Sequence, residues 1–424
     1  MQLLTIQSLF GSLWTGVAGR QSPSVSLPSR DAGRGSRRAL PRKVGTLAAL
    51  AGSMLVGACQ QAPETRQVKP EVVALETQEL SSWGDYERLV ALETRPDVLL
   101  GNVDVIKVDP DSGELLIGDF RSSKRAYRFD RDGRFLTMYG DPASENSPYF
   151  YLSDVARMPD DRILIVAGNR GLVFELDGEL VDTVFFEFAP DEILTLGDRI
   201  YIRGHSKGRK VLKDSVFIFD SNLKKRGSFH AYDARRDLFG FQPKRSLGSA
   251  QGQIYVTDYY DYRVTAYDPK GNALAVLEFD NHNAELATLW QRERTELTAD
   301  DRANLVQGVH RIQTLLGFGD GLYMFESNLK RGILRYSMFS PDRDVLYQYP
   351  NLKLVFTGDG DGDYFAIDKI AGSYEQGLLG VVDDPERIER YRDRYPILEG
   401  IEYDVTENPI VMFFKLKFPE GASA

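Results

Sequence analysis

The chain has 424 residues, 42% of them apolar and 11% aromatic, enough to build a large core, so extensive disorder is excluded outside the N-terminal region. Its formal charge is −10, and because residues 1–58 hold seven Arg or Lys against the single acid Asp31, the remainder carries −16. A surface that acidic repels phosphate backbones and anionic headgroups, so nucleic acid is not an expected partner and contact with a membrane requires an anchor.

At the N-terminus, Arg37, Arg38, Arg42 and Lys43 precede an uncharged stretch from Val44 to Ala58 that ends at Cys59. A basic start, a short apolar run and small residues before a cut are the features of an export signal, and the run is too short to span a bilayer as a helix. Val56-Gly57-Ala58-Cys59 resembles the bacterial lipobox, in which an apolar residue and two small ones precede a Cys that is acylated and becomes the new N-terminus. The resemblance implies lipid attachment at Cys59, the single Cys of the chain; the alternative is an ordinary secretory signal with an incidental Cys. One Cys makes no intramolecular disulfide, so the fold must rest on its own core. Residues 1–36 are read as an upstream extension from a start codon placed too early, 37–58 as the signal peptide and 59–82 as a polar tether. Gln60 after the Cys, rather than Asp, favours the outer membrane if the source is Gram-negative.

From residue 83 to about 420 the sequence repeats itself. Gln253-Ile-Tyr-Val-Thr-Asp258, Arg263-Val-Thr-Ala-Tyr-Asp268-Pro-Lys-Gly271 and Asn272–Phe279 read as strand, strand, Gly turn, strand, because apolar positions alternate and Asp-Pro-Lys-Gly supplies a hairpin. Glu114–Asp119, Arg125–Asp130, the turn to Gly133 and Arg134–Tyr139 repeat the pattern. Weaker copies lie at Arg162–Val166 with Gly171–Gly178, Arg199–Arg203 with Ser215–Asp220, Gly321–Phe325 with Gly332–Tyr336, and Asp363–Ile367 with Gly377–Val382. Each follows another short apolar run: Val103–Val108, Leu152–Met158, Ile193–Leu196, Ser246–Ala250, Ile312–Leu316 and Lys353–Thr357. Four short strands repeated six times predict an all-β, six-bladed β-propeller. Tyr86–Glu93 and Pro409–Leu416, at opposite ends, are the candidates for one shared closing blade, which would remove the open sheet edges.

Ile254–Gly271 resembles the NHL repeat. Together with Leu92-Glu-Thr, the repeat at 114–139 and the closing Asn408–Lys417, the chain resembles the six-bladed propeller lipoproteins of bacterial envelopes over roughly residues 83–418. That resemblance implies a fold and an address, not an activity.

Residues 281–311 interrupt the pattern. Leu286, Leu289, Trp290 and Leu297 fall at helical spacing, and Thr298 can cap a second helix with Asp300 and Asp301 in its first turn. This short helical insertion is either a lid or partner contact, or an elaboration packed on a blade side.

Asp359, Asp361 and Asp363 alternate with Gly as a turn could present oxygens to Ca²⁺, but the twelve-residue EF-hand pattern is absent and a tight hairpin explains the run equally. Asp258 with Arg263, and Asp119 with Arg125, recur at equivalent repeat positions, which argues for a structural role. His205, His230, His282 and His310 show no metal-binding spacing. No catalytic residue is assigned, and the cofactor is open, with Ca²⁺ the one candidate. The expected function is a lipid-anchored, extracytoplasmic binding module for a protein, peptide or carbohydrate ligand. The alternatives are a metal-dependent hydrolase or lyase with its site in the central channel, and a structural envelope component.

Overall fold

The computed structural model describes residues 62–68, 70–72, 84–140, 152–206, 211–232, 245–258, 262–279, 298–328, 333–350, 369–383 and 408–418. Three strands come first, β1 (Glu64–Gln67), β2 (Pro70–Val72) and β3 (Gly84–Ala91), and each joins a sheet made by later residues. Blade I is β4 (Val105–Val108), β5 (Leu115–Asp119), β6 (Arg125–Phe129) and β7 (Phe135–Tyr139). Blade II is β8 (Leu152–Arg157), β9 (Ile163–Ala167), β10 (Arg170–Phe174) and β11 (Leu180–Phe185), and blade III is β12 (Ala189–Leu196), β13 (Arg199–His205), β14 (Asp214–Phe219) and β15 (Lys225–Ala231). Blade IV is β16 (Leu247–Ala250), β17 (Gln253–Thr257), β18 (Arg263–Tyr267) and β19 (Ala273–Glu278). After helix α1 (Ala299–Gly308) comes blade V, with β20 (Arg311–Phe318), β21 (Gly321–Asn328), β22 (Ile333–Ser340) and β23 (Val345–Pro350). Blade VI is β24 (Lys369–Tyr374), β25 (Gly377–Val382) and β26 (Ile410–Leu416), with β3 as its outer strand.

Strands within each blade are antiparallel, and β4, β8, β12, β16, β20 and β24 contact one another in turn, β24 returning to β4, so six sheets close a ring around an axis. The six-bladed propeller expected from the repeat is the fold.

The core explains why the second strand of each blade was so legible. In β5, Leu115 and Ile117 point into the cluster shared with blade VI while Leu116 points into the one shared with blade II. In β9, Ile163 and Ile165 face blade I while Leu164 and Val166 face blade III. The same division recurs at Ile200, Tyr201 and Ile202, and at Ile254, Tyr255 and Val256. Because side chains alternate between two faces and both faces are covered by neighbouring blades, the strand is an unbroken apolar run.

The repeated Asp-x-x-Gly is a hairpin between third and fourth strands. Asp130 Oδ1 accepts from the amides of Asp132 (2.9 Å) and Arg134 (2.8 Å), and Asp268 Oδ1 from those of Lys270 (2.8 Å) and Asn272 (2.9 Å). Gly133 (φ 87°) and Gly271 (φ 86°) take the left-handed conformation that the turn requires.

Ring closure uses both chain ends, as expected: β26 pairs with β3 from Ile410 opposite Ala91 to Leu416 opposite Gly84. Asn408 locks the junction, its Nδ2 donating to the carbonyls of Glu93 (2.9 Å) and Val98 (2.7 Å) and its Oδ1 accepting from the Leu100 amide (2.8 Å).

Three expectations need correction or delimiting. Gly377–Val382, expected as the third strand of the last blade, is its second, pairing with β24 on one side and β26 on the other. Its residues are all buried, as are most of those of third strands such as β14 and β18, so the apolar run suits either place. Lys353–Thr357 and Asp363–Ile367 lie outside the described residues. The 59–82 segment, expected as a tether, instead contributes β1 and β2, which add in parallel to the outer edges of blades IV and V. Val68 is the reason: it is buried in the cluster between those blades, although β1 itself is exposed. Within the insertion, α1 forms as expected, with Thr298 Oγ1 accepting from the Asp301 amide (3.0 Å) and Asp301 Oδ2 from the Thr298 amide (2.9 Å). The helix expected over 284–297 lies outside the described residues.

Candidate functional site

Cys59, His282 and the carboxylates of Asp359, Asp361 and Asp363 lie outside the described residues. The recurrent Asp residues are structural. Asp119 accepts from the amides of Gly101 (2.9 Å), Ser122 (3.0 Å) and Ser123 (3.2 Å), shaping the loop after β5, and Arg125 sits opposite it in the ladder. Asp258 lies 3.9 Å from Arg263 but bonds more closely to His230 (2.9 Å) and Arg203 (3.3 Å). Burial works to raise its pKa, yet His230, Arg203 and Arg263 together hold its carboxyl well below the usual range.

The remaining histidines do not converge. His205 pairs with Asp191 within blade III (2.8 Å), whereas His310 lies at the junction of blades IV and V. There Glu326 receives Tyr262 Oη (2.6 Å), Arg335 Nε (2.7 Å), His310 Nε2 (3.1 Å) and the Ser337 hydroxyl. Burial acts to raise the Glu326 pKa, but these donors bring it down; burial and the Glu326 charge push the Tyr262 phenol well up. Both networks centre on a buried carboxylate and tie neighbouring blades together, which is a structural role. Among the described residues no group of three or more His, Cys, Asp or Glu is placed to hold a metal ion.

What the fold does bring together is a set of residues at the N-terminal ends of the innermost strands. In antiparallel blades this end also carries the loops from second to third strand, so two loop sets converge on one mouth of the channel. The innermost strands of blades II, III, V and VI each shift register there, at Leu152/Asp154, Pro190/Glu192, Ile312/Thr314 and Ile370/Gly372. Such bulges re-aim side chains, a common device beside binding sites. They surround a cavity of about 610 Å³. Blade I supplies Asn102, Asp104, Phe120, Arg121 and Lys124, blade II Leu152 and Ser153, blade IV Arg245, blade V Thr314 and Leu316, and blade VI Lys369 and Ala371.

Beneath this cavity lies a buried charge cluster. Asp154, with no exposed side-chain surface, takes Lys107 Nζ at 3.0 Å and Arg245 at 2.9 Å on the same oxygen, Oδ2, which also accepts from the Ile193 amide at 2.8 Å. Burial alone would raise the Asp154 pKa, but Arg245 and Lys107 lower it below the carboxylate norm. Enclosure lowers the Lys107 pKa despite Asp154. Lost hydration works to lower the Arg245 pKa too, but Asp154 and Glu192 reverse it, and the net shift is upward. Glu192 accepts from the Ser246 amide (2.7 Å), the Ser246 hydroxyl (2.8 Å) and the Leu247 amide (3.2 Å), yet burial dominates and its pKa is raised.

None of these axial residues was singled out from sequence. The available signal was a charge inside an apolar inner-strand run: Lys107 within Val103–Val108 and Asp154 within Leu152–Met158.

The sequence profile of DUF5128, described as a 6-bladed beta-propeller, matches residues 60–349. The chain belongs to that family. The matched span opens just before β1 and ends in β23, so the DUF5128 match takes in the strands added to blades IV and V and five of the blades. Among solved structures, one from Bacteroides fragilis, carrying the name of an exported protein, aligns over 83% of this chain and 99% of its own at 14% identity, with a TM-score of 0.58. A duf4221-family member from Bacteroides vulgatus aligns over 79% of this chain and 98% of its own at 11% identity, with a TM-score of 0.46. At such identity the first match shows a shared fold alone. No curated protein matches the chain.

Proposed function

We propose that the protein is an exported binding module of the bacterial envelope, lipid-anchored through Cys59, with its ligand seat in the axial cavity. The observation that carries the reading is the convergence of side chains from five of the six blades on one cavity of about 610 Å³. That volume is ordinary for a small-molecule pocket, and its lining mixes charged and polar side chains with apolar ones. The export signal and the lipobox-like Val56–Cys59 supply the address, and Gln60 points to the outer membrane. A partner of the nucleic-acid class runs against a charge of −10.

Two measurements test the two halves. Cells expressing the full chain and fed a labelled fatty acid should label the protein, and Cys59→Ser should abolish the label and move the protein out of the membrane fraction. An unlabelled wild-type protein would sink the anchor. For the binding half, native mass spectrometry of protein incubated with small-molecule envelope extracts should show an adduct that Ser153→Phe, which sets an aromatic ring into the cavity, removes. An adduct unaffected by that substitution would put the ligand elsewhere.

A further inference from the structure

Resting on the axial cavity as ligand seat, we infer that its occupant is a small organic anion, a carboxylate, sulfate ester or phosphate ester, with the anionic group held by Arg245 and Lys369. Among the described residues the cavity wall carries Arg121, Lys124, Arg245 and Lys369 against one acid, Asp104. This runs against the trend of a chain whose net charge is −10.

Asp104 offsets one of these four cations, Arg121, with which it pairs. Oδ1 accepts from Asn102 Nδ2 at 2.7 Å and lies 3.3 Å from Arg121, and Oδ2 accepts from the amides of Phe120 (2.8 Å) and Arg121 (3.3 Å). Lys107 and Arg245 share one Asp154 oxygen, and the charge of Glu192 also acts on Arg245, so on this side the cavity offers the donors of Arg245 rather than a surplus of charge. Across the cavity Lys369 Nζ donates to Asn102 Oδ1 at 2.9 Å and lies 3.4 Å from Asp383, which is 41% exposed and faces solvent screening. Arg245 supplies planar paired donors suited to an oxyanion, and Lys369 a point charge opposite. Phe120, Leu152 and Leu316 line the same space and would cover an apolar body. Lys124 holds φ at 56°, an uncommon conformation for Lys that the loop keeps at the cavity rim.

A matched pair of fluorescent probes tests this without knowledge of the native ligand. 8-Anilinonaphthalene-1-sulfonate and N-phenyl-1-naphthylamine share one aromatic body and differ by the sulfonate. The sulfonate probe should bind the full protein at one site, at least tenfold more tightly than the neutral probe, and weaken as chloride is raised. Lys369→Gln should weaken the sulfonate probe about tenfold and leave the neutral probe unchanged, Lys369→Arg should restore binding, and Ser153→Phe should abolish both. Circular dichroism confirms that each variant is folded. Equal binding of the two probes, lost in Ser153→Phe but indifferent to Lys369→Gln, would overturn the anion inference and leave the cavity as a binding seat. Signals indifferent to Ser153→Phe would overturn both.

Discussion

Replacing Asp154 with Asn keeps the side-chain volume but removes the carboxylate that Lys107 and Arg245 both contact in the channel wall, while Glu192 stays. Breaking a buried pair by deleting one partner costs about 3–5 kcal/mol, because the surviving charge is left uncompensated. The loss has a ceiling: Lys107 can shed its proton, and from an ordinary pKa near 10.4 that costs about 4–5 kcal/mol at neutral pH. The Asn carbonyl can still accept from the Ile193 or Val155 amide, leaving one orphan donor. Equilibrium urea unfolding should therefore show a loss of about 3–5 kcal/mol with an unchanged m-value. Adding Lys107→Met should recover at least half of it, a coupling that a double-mutant cycle reads directly. The pH profile supplies the sign. The folded Asp154 pKa is depressed, so its contribution is present above the unfolded value of about 3.9 and is lost as pH falls through the folded one. Wild type and variant should converge in acid and separate above about pH 4. A loss under about 1 kcal/mol, or parallel profiles throughout, would refute the electrostatic account.

Asn408→Ala removes three side-chain hydrogen bonds to the 93–100 segment and should cost about 3 kcal/mol, read as a lowered thermal midpoint. Gly317→Ala would set a methyl 1.9 Å from the Ser249 carbonyl, so β16 and β20 must part at a cost of at least about 1–3 kcal/mol. Gly227→Ala, whose nearest neighbour would be Ile218 Cδ1 at 3.6 Å, should stay within about 0.5 kcal/mol and serves as its control in the same denaturation series. Thr298→Ala should cost α1 about 1 kcal/mol, seen as faster amide exchange confined to the first turn of that helix.

The parts of the fold that sequence reading recovered share one physical property: their side chains satisfy local and global demands together. Ile163–Ala167 and Ile254–Val256 are apolar because two blades flank them, and Asp268 with Gly271 closes the same hairpin that its neighbours require. The shared blade was legible because Ile410–Leu416 is too apolar to stand at an open edge. Gly377–Val382 was placed one strand out because second and third strands are both buried on two faces, as β17 and β18 are, and hairpin spacing does not tell them apart. β1 and β2 were missed because Glu64–Gln67 is polar and exposed; its docking rests on backbone pairing and on Val68, which carry little pattern. The axial site was missed for a different reason. Lys107, Asp154 and Arg245 lie far apart in the chain, and only ring closure brings them onto one oxygen.

That closure also sets an order in time. Thr94 and Asn408, joined by a hydrogen bond, stand 314 residues apart, and β3 beside them has no partner until β26 exists. Loop-closure entropy grows only slowly with such a span, so the cost in stability is small, but the contact is strongly non-local. A chain emerging N-terminus first therefore completes five blades while the first strand of its sixth is still waiting. Until the last strand arrives, β25 is a bare apolar edge, open to pairing with another chain. β26, pairing with β25 on one side and β3 on the other, is the strand that covers that edge.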